Sequence, residues 1–271
     1  MFASFLLALR EGLEAALVMG VILGALTKLN HAHLKPAVWL GAAVAVLFSL
    51  LAGIGLFRFG VSLEGDAEKI FEGSTMLLAA GVLTWMIFWM KHQSRGLTQS
   101  LETRVLAASH RTAFLSLAIL AFITIVREGV ELTLFITAAA FSVDQNQALW
   151  GAVAGLTAAV LLGWLLYTSS IQLNLRRFFN TTSLLLLIFA AGLVAHGVHE
   201  FNELGWIPAV IDPVWNMNHI LDESSAIGQV FKALFGYNGN PSLTEVLSYL
   251  GYLLFIVAGL RLITPSRQQF A

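Results

Sequence analysis

Two short runs place arginine and glutamate where neither is expected, inside long apolar stretches: Arg10-Glu11-Gly12-Leu13-Glu14 and Arg127-Glu128-Gly129-Val130-Glu131. On a helix, residues three and four apart share a face. Arg10 therefore reaches Glu14, Glu11 neighbours Glu14, and the second run repeats the pattern with Arg127, Glu128 and Glu131. A guanidinium grips one carboxylate with two N–H groups. The glutamates left over are hard oxygen donors, suited to ferric iron, manganese, magnesium or calcium. Two other readings stay open from these residues alone. The pairs could lock helices together, or the glutamates could relay protons.

Energetics favour a ligand. One charged residue at mid-helix costs ~2.5–3.5 kcal/mol on insertion scales, so each triplet costs roughly 8 kcal/mol before pairing. At ~1.5 Å per residue, Arg127 lies ~21 Å from either end of its apolar stretch, and Arg10 lies ~12 Å from the nearer end of its own. If the two runs meet, four carboxylates face two guanidiniums, and the formal −2 left over calls for a cation. Gly12 and Gly129 lack side chains and would let the two backbones approach.

The elements that must position these runs are membrane helices. The chain has 271 residues, 58% hydrophobic and only 11% charged, with a mean hydropathy of +0.79. A soluble domain carries ~25% charged residues. A formal net charge of −1 argues against nucleic acid as a partner. The absence of cysteine excludes disulfides, thiolate metal centres and cysteine nucleophiles. Seven stretches reach the ~20 residues needed to cross a bilayer as a helix: 2–27, 36–57, 70–90, 113–141, 149–169, 178–199 and 243–263. The first reads as a span rather than a cleaved leader, because charges sit inside it.

Charge sets the orientation. The loops after spans one, three and five and the C-terminal tail hold ten of the fifteen basic residues with one acid, Glu102. The opposite loops hold eleven of the sixteen acids. Lysine and arginine gather on the cytoplasmic side, so the N-terminus is expected outside and the C-terminus inside. Ser242-Leu243-Thr244-Glu245 reads as a capping box opening span seven. Residues 224–235, closed by Gly236, read as a short amphipathic helix. Residues 97–108 read as an interfacial helix on the inner side.

The chain also repeats itself. Besides the charged runs, Trp39-Leu40-Gly41-Ala42 is echoed by Trp150-Gly151-Ala152, and Lys69-Ile70-Phe71 by Arg177-Phe178-Phe179. Three spans per copy is an odd number, so the second copy enters from the opposite side. The expected fold is an all-α integral membrane protein in one transmembrane domain, 1–271. Within it, a first three-helix repeat (1–91) and an inverted second (113–200) are joined by a cytoplasmic linker (92–112). An external acidic loop (201–242) and an extra seventh helix (243–264) follow. Inverted repeats of this kind place a transport site near the midplane.

With these residues in hand, the chain resembles the oxidase-dependent iron permease family, whose paired Arg-Glu-x-x-Glu motifs lie in spans one and four of seven. The likeness runs over nearly the whole chain, including Asp222-Glu223-Ser224, Gly236-Tyr237 and Pro241-Ser242. It implies a permease, not an enzyme, that imports iron (Fe3+/Fe2+) across the bacterial cytoplasmic (inner) membrane. Glu11, Glu14, Glu128 and Glu131 would bind the ion, with Arg10 and Arg127 as their partners. It also implies separate extracytoplasmic iron-oxidising or iron-delivering proteins, and iron as transported substrate with no tightly bound cofactor.

Other titratable groups gather outside. Glu64, Asp66, Glu68 and Glu72 in one external segment, and Glu200, Glu203, Asp222 and Glu223 in another, would draw cations by their field. His196 and His199 or Glu200 share a helical face at a spacing that metals accept. Rival functions are a permease for lead or manganese, a proton-coupled carrier, and a membrane haem oxidoreductase using His196, His199 or His219. The last meets the objection that spans one to five carry no histidine at mid-depth.

Overall fold

Helix α1 (Phe2–Lys28) is apolar apart from its charged run and stops at Asn30, whose φ of 61° is left-handed. Asparagine tolerates that conformation better than most residues with a Cβ. The His31 amide reaches back to the Leu26 carbonyl (2.9 Å) and the Asn30 amide to that of Thr27 (3.2 Å), closing a Schellman-type end. A 3-10 turn, Ala32–Leu34, leads into α2 (Lys35–Val61), which has a proline in its first turn, where no helical bond is lost. The remaining helices are α3 (Asp66–Gln93), α4 (Ala113–Ser142), α5 (Gln145–Thr168), α6 (Leu175–Glu203), α7 (Ala226–Phe235) and α8 (Leu243–Ile263). This computed structural model describes residues 1–93, 113–142, 145–168, 174–223 and 225–263, and no strand occurs among them. The helix expected at 97–108 lies outside the described residues.

The all-helical, multi-pass membrane character is plain. Six helices, α2 to α6 and α8, are long and apolar enough to cross a bilayer. Helix α1 has the length, at 27 residues, but every 18-residue stretch of it holds at least three charged residues. Helices α2, α5 and α8 are the least buried of the six and expose Leu47, Leu51, Val160, Trp164, Leu254 and Phe255. A helix apolar on every side belongs in lipid.

Two helices outrun their expected limits. Helix α3 starts at Asp66 because Asp66 and Glu68 in its first turn suit the positive end of the helix dipole. Helix α6 continues to Glu203 and ends near Gly205, whose φ of 72° is open to glycine. Asp66, Glu68, Glu200 and Glu203 thus stand on helix ends rather than in loops.

The chain divides into two compact units. The first comprises residues 1–63 and 90–182, the second 64–89 and 183–271. In the first unit α1 packs along α5, α4 along α2, and α1 meets α4 between them. Aligning the two charged runs sets Gly12 on Gly129, Ala16 on Thr133 and Met1 on Ala118, and the close approaches follow that alignment. Gly12 is met by Ala159 of α5, and Gly129 by Ser49 of α2. Gly163 is met by Ala16, and Gly53 by Thr133. Gly151 lies against the Met1 carbonyl, and Gly41 against that of Ala118. These three approaches of α1 to α5 each have a counterpart of α4 to α2. The expectation that Gly12 and Gly129 would bring α1 and α4 together is therefore corrected: each glycine admits a different helix. A buried apolar cluster of Ile22, Leu26, Leu34, Val38, Leu117 and Ala121 fills the end of this unit where α1 stops and α2 and α4 begin.

In the second unit Gly73 of α3 and Gly197 of α6 face each other, a Cβ on either lying 3.1 Å from the other's carbonyl oxygen. The Thr84 and Tyr252 hydroxyls share a 2.6 Å hydrogen bond between α3 and α8. Helix α7 opens at Ser225, whose Oγ accepts from the Gly228 amide (3.0 Å), and closes at left-handed Gly236. Ser242 and Glu245 form the expected capping box: the Ser242 amide donates to Glu245 Oε1 (3.1 Å) and the Glu245 amide to Ser242 Oγ (3.3 Å).

Candidate functional site

The α1 run folds into a closed ion-pair knot. Arg10 Nη1 lies 2.7 Å from Glu11 Oε1, and Nη2 lies 2.8 Å from Glu14 Oε1. Nη2 also donates to Met90 Sδ at 2.6 Å. Arg10 is 0% exposed and Glu11 1%. A guanidinium so enclosed is held only because its charge is matched on the spot.

The α4 run is built more loosely. Arg127 Nε pairs with Glu131 Oε1 at 2.9 Å, one helical turn on, and the Arg127 side chain is 38% exposed. The two arginines are thus unequally enclosed. Glu128 and Glu131 are both buried.

The runs converge. One carboxylate oxygen from each of Glu11, Glu128 and Glu131 lies within 4.8 Å of the others. Oxygens on opposite sides of a cation with bonds of ~2.3–2.6 Å stand ~5 Å apart, so the three fit one ion's shell. In each of the three, one oxygen (Glu11 Oε2, Glu128 Oε2 and Glu131 Oε2) is buried with no hydrogen-bond partner. Buried carboxylate oxygens without partners are costly. Glu14 pairs with Arg10, the guanidinium that also holds Glu11.

Glu11 and Glu128 line a cavity of about 610 Å³ whose remaining wall is mostly apolar, with Leu132, Ile136, Ala152 and Leu156 on it. It extends to Arg58, Ala140 and Leu149, toward the C-terminal ends of α2 and α4 and the start of α5. Such a wall gives water few partners and leaves the carboxylates as the points of attraction. Thr133 and Ser49 also line it. The Thr133 hydroxyl is spent on the Gly129 carbonyl at 2.8 Å. Ser49, 7% exposed, has an Oγ without a partner.

Met90 and Ser49 escaped the sequence reading. Ser49 left a trace, as the single hydroxyl in α2. Met90 left none, since a thioether at the end of an apolar span has no pattern to stand out from.

The external groups fall in the second unit and form a different array. His199 Nδ1 lies 3.0 Å from Glu245 Oε1 and Nε2 lies 3.3 Å from Glu203 Oε1, while Glu203 Oε2 pairs with Lys69 at 2.7 Å. Asn238 donates to Glu245 Oε2 at 2.7 Å. His196 turns Nδ1 to the Gly192 carbonyl of its own helix at 2.9 Å. Among the described residues the histidines join no metal-sized group. Glu64, Asp66 and Glu68 are exposed, and Glu72 and Glu200 half-buried. Glu223 accepts from the Gly239 amide at 2.6 Å and faces Lys232 at 3.6 Å, tying the loop. Exposed Asp222 receives Ser225 on its carbonyl (2.6 Å). The side chain that caps α7 is that of Ser225.

The chain is similar over nearly its whole length to proteins named as iron permeases. Ferrous iron permease EfeU of Escherichia coli O6:H1 (strain CFT073) is 36% identical over 259 residues, 94% of this chain and 93% of the relative. EfeU of Shigella sonnei (strain Ss046) is 36% identical over 259 residues, again 94% and 93%. EfeU of Yersinia pestis is 34% identical over 257 residues, 94% and 91%. No solved structure matches. The iron permease FTR1 family matches residues 1–268, and with the whole chain so covered, the chain belongs to that family.

Proposed function

We propose that this chain is a permease, not an enzyme, that imports iron through the carboxylate group of α1 and α4. The observation that carries the reading is the meeting of Glu11, Glu128 and Glu131 within 4.8 Å, each with a buried oxygen left unpartnered. Glu14 completes the set by holding Arg10. Four carboxylates against two guanidiniums leave −2, which a divalent cation neutralises. The relatives' names favour ferrous ion.

In this reading α1 spans the membrane with the other six long helices, its charges tolerated because they pair and enclose a cation. The N-terminus lies outside a bacterial cytoplasmic membrane and the C-terminus inside, in keeping with the charge bias of the loops. The matched approaches of α1 to α5 and α4 to α2 support an inverted repeat. The cavity, which extends toward the ends of α2 and α4, is then the external path to the carboxylates. Separate extracytoplasmic proteins would oxidise or deliver the iron, meeting the external segments.

The test is uptake of radioactive iron by proteoliposomes holding the purified chain, with manganese and lead as competitors. Accumulation that needs Glu11 and Glu128 and resists a tenfold excess of manganese supports the reading. Preferential manganese or lead uptake would assign the same carboxylates to another cation.

A further inference from the structure

Gly12 and Gly129 occupy matching places in the two charged runs, and each is covered by a residue from the helix packed on it: Ala159 at Gly12, Ser49 at Gly129. A Cβ built on Gly12 would lie 2.6 Å from the Ala159 Cβ, and one built on Gly129 would lie 2.6 Å from the Ser49 Cβ. Contact at the level of Cβ is therefore alike at the two places, and a methyl group fills it at the first. The Ser49 hydroxyl is the atom set nearest Gly129 and shares that contact, yet it finds no hydrogen bond there. It is buried, at 7% exposure, without a hydrogen-bond partner, and an unsatisfied buried hydroxyl destabilises. Ser49 lines the cavity together with Glu11, Glu128 and Gly129.

We propose that the Ser49 hydroxyl is a further oxygen ligand for the transported cation, held beside Glu128 by the close fit of α2 on Gly129. The inference rests on the carboxylate site proposed above and adds one neutral donor from a third helix. A hydroxyl oxygen is a hard donor and suits a hard or borderline divalent ion. Because only one of the two matched places carries it, the cation is bound off-centre, toward α4 and α2.

Two variants of the full chain in proteoliposomes test this. Ser49→Ala keeps the packing that Ala159 already exemplifies, and it should raise the KM for ferrous ion about three- to tenfold, the worth of one net polar contact, with the maximal rate little changed. Ser49→Cys introduces the sole thiol of the chain, and cadmium should protect that thiol from maleimide. In the Ser49→Cys, Glu128→Ala double variant, protection should need at least ten times more cadmium. An unchanged KM in Ser49→Ala, or equal cadmium protection with and without Glu128, overturns the assignment of Ser49. Wild-type iron uptake by Glu128→Ala alone would instead overturn the carboxylate site beneath it.

Discussion

Arg10 and Arg127 hold the same place in two aligned runs and live in unlike surroundings. Arg10 is fully enclosed, with Glu11, Glu14 and Met90 around its guanidinium, whereas Arg127 is 38% exposed and grips Glu131 through Nε. Removing one partner of a fully buried ion pair costs about 3–5 kcal/mol, and Arg10 has two carboxylate partners, Glu11 and Glu14, where Arg127 pairs with Glu131. Arg10→Gln should therefore lower the thermal midpoint of the detergent-purified protein far more than Arg127→Gln. Arg10→Lys should also be damaging, since an ammonium cannot serve two carboxylates and a thioether in the geometry of a planar fork. Equal midpoints for the two glutamine variants would contradict the unequal burial.

The glutamates divide by what they touch. Glu11, Glu128 and Glu131 meet one another, and Glu14 is held by Arg10. Replacing any of the first three with glutamine should cut iron uptake by well over tenfold, with the protein still in the membrane. Glu14→Gln acts through the arginine, and its loss should resemble that of an outer-shell partner, about 10–100-fold. Isothermal titration of ferrous ion into each variant separates the groups: binding should vanish for the three and weaken for Glu14→Gln.

The cavity makes a prediction that the lack of native cysteine renders simple. Ile136 lies on its wall, while Ile22 is 0% exposed in the apolar cluster at the other end of the unit. A maleimide should label Ile136→Cys rapidly and Ile22→Cys hardly at all. Saturating ferrous ion should slow labelling of Leu132→Cys, which lies on the same wall one turn from Glu128. Equal labelling of the Ile136 and Ile22 variants would mean that the cavity does not exist in the membrane.

Glycines with equal sequence signals should respond oppositely. A Cβ at Gly41 would drive into the Ala118 carbonyl, whereas Gly24 has open space around it. Gly41→Ala should destabilise by about 1–3 kcal/mol, as overpacking does. Gly24→Ala should be neutral or stabilising by up to ~1 kcal/mol, the helix-propensity difference. Thermal midpoints of the two variants decide the matter.

The charged runs were legible because ionised side chains inside an apolar helix have few innocent explanations. The long helices were legible from apolar length, and the start of α8 from Ser242 and Glu245. The partners of Gly12 and Gly129 were not, because a missing side chain announces a close approach without saying whose. The enclosure of Arg10 depends on Met90, eighty positions away, and no local pattern carries contacts at that range.

The start of α8 offers the last prediction. Glu245 is nearly buried and accepts from the Ser242 amide, His199 and Asn238 at once, so it fixes the helix N-terminus and ties α8 to α6. Ser242→Ala removes one half of the box and should cost about 0.5–2 kcal/mol. Glu245→Ala removes the other half, leaves His199 with the Glu203 contact alone of its two carboxylates, and uncovers the Asn238 amide. Its cost should exceed that of Ser242→Ala by more than about 1 kcal/mol, because buried donors are then left without acceptors. Both variants should retain iron binding, since neither residue belongs to the carboxylate group. A Glu245→Ala protein that is stable yet fails to bind iron would move part of the ion site into the second unit.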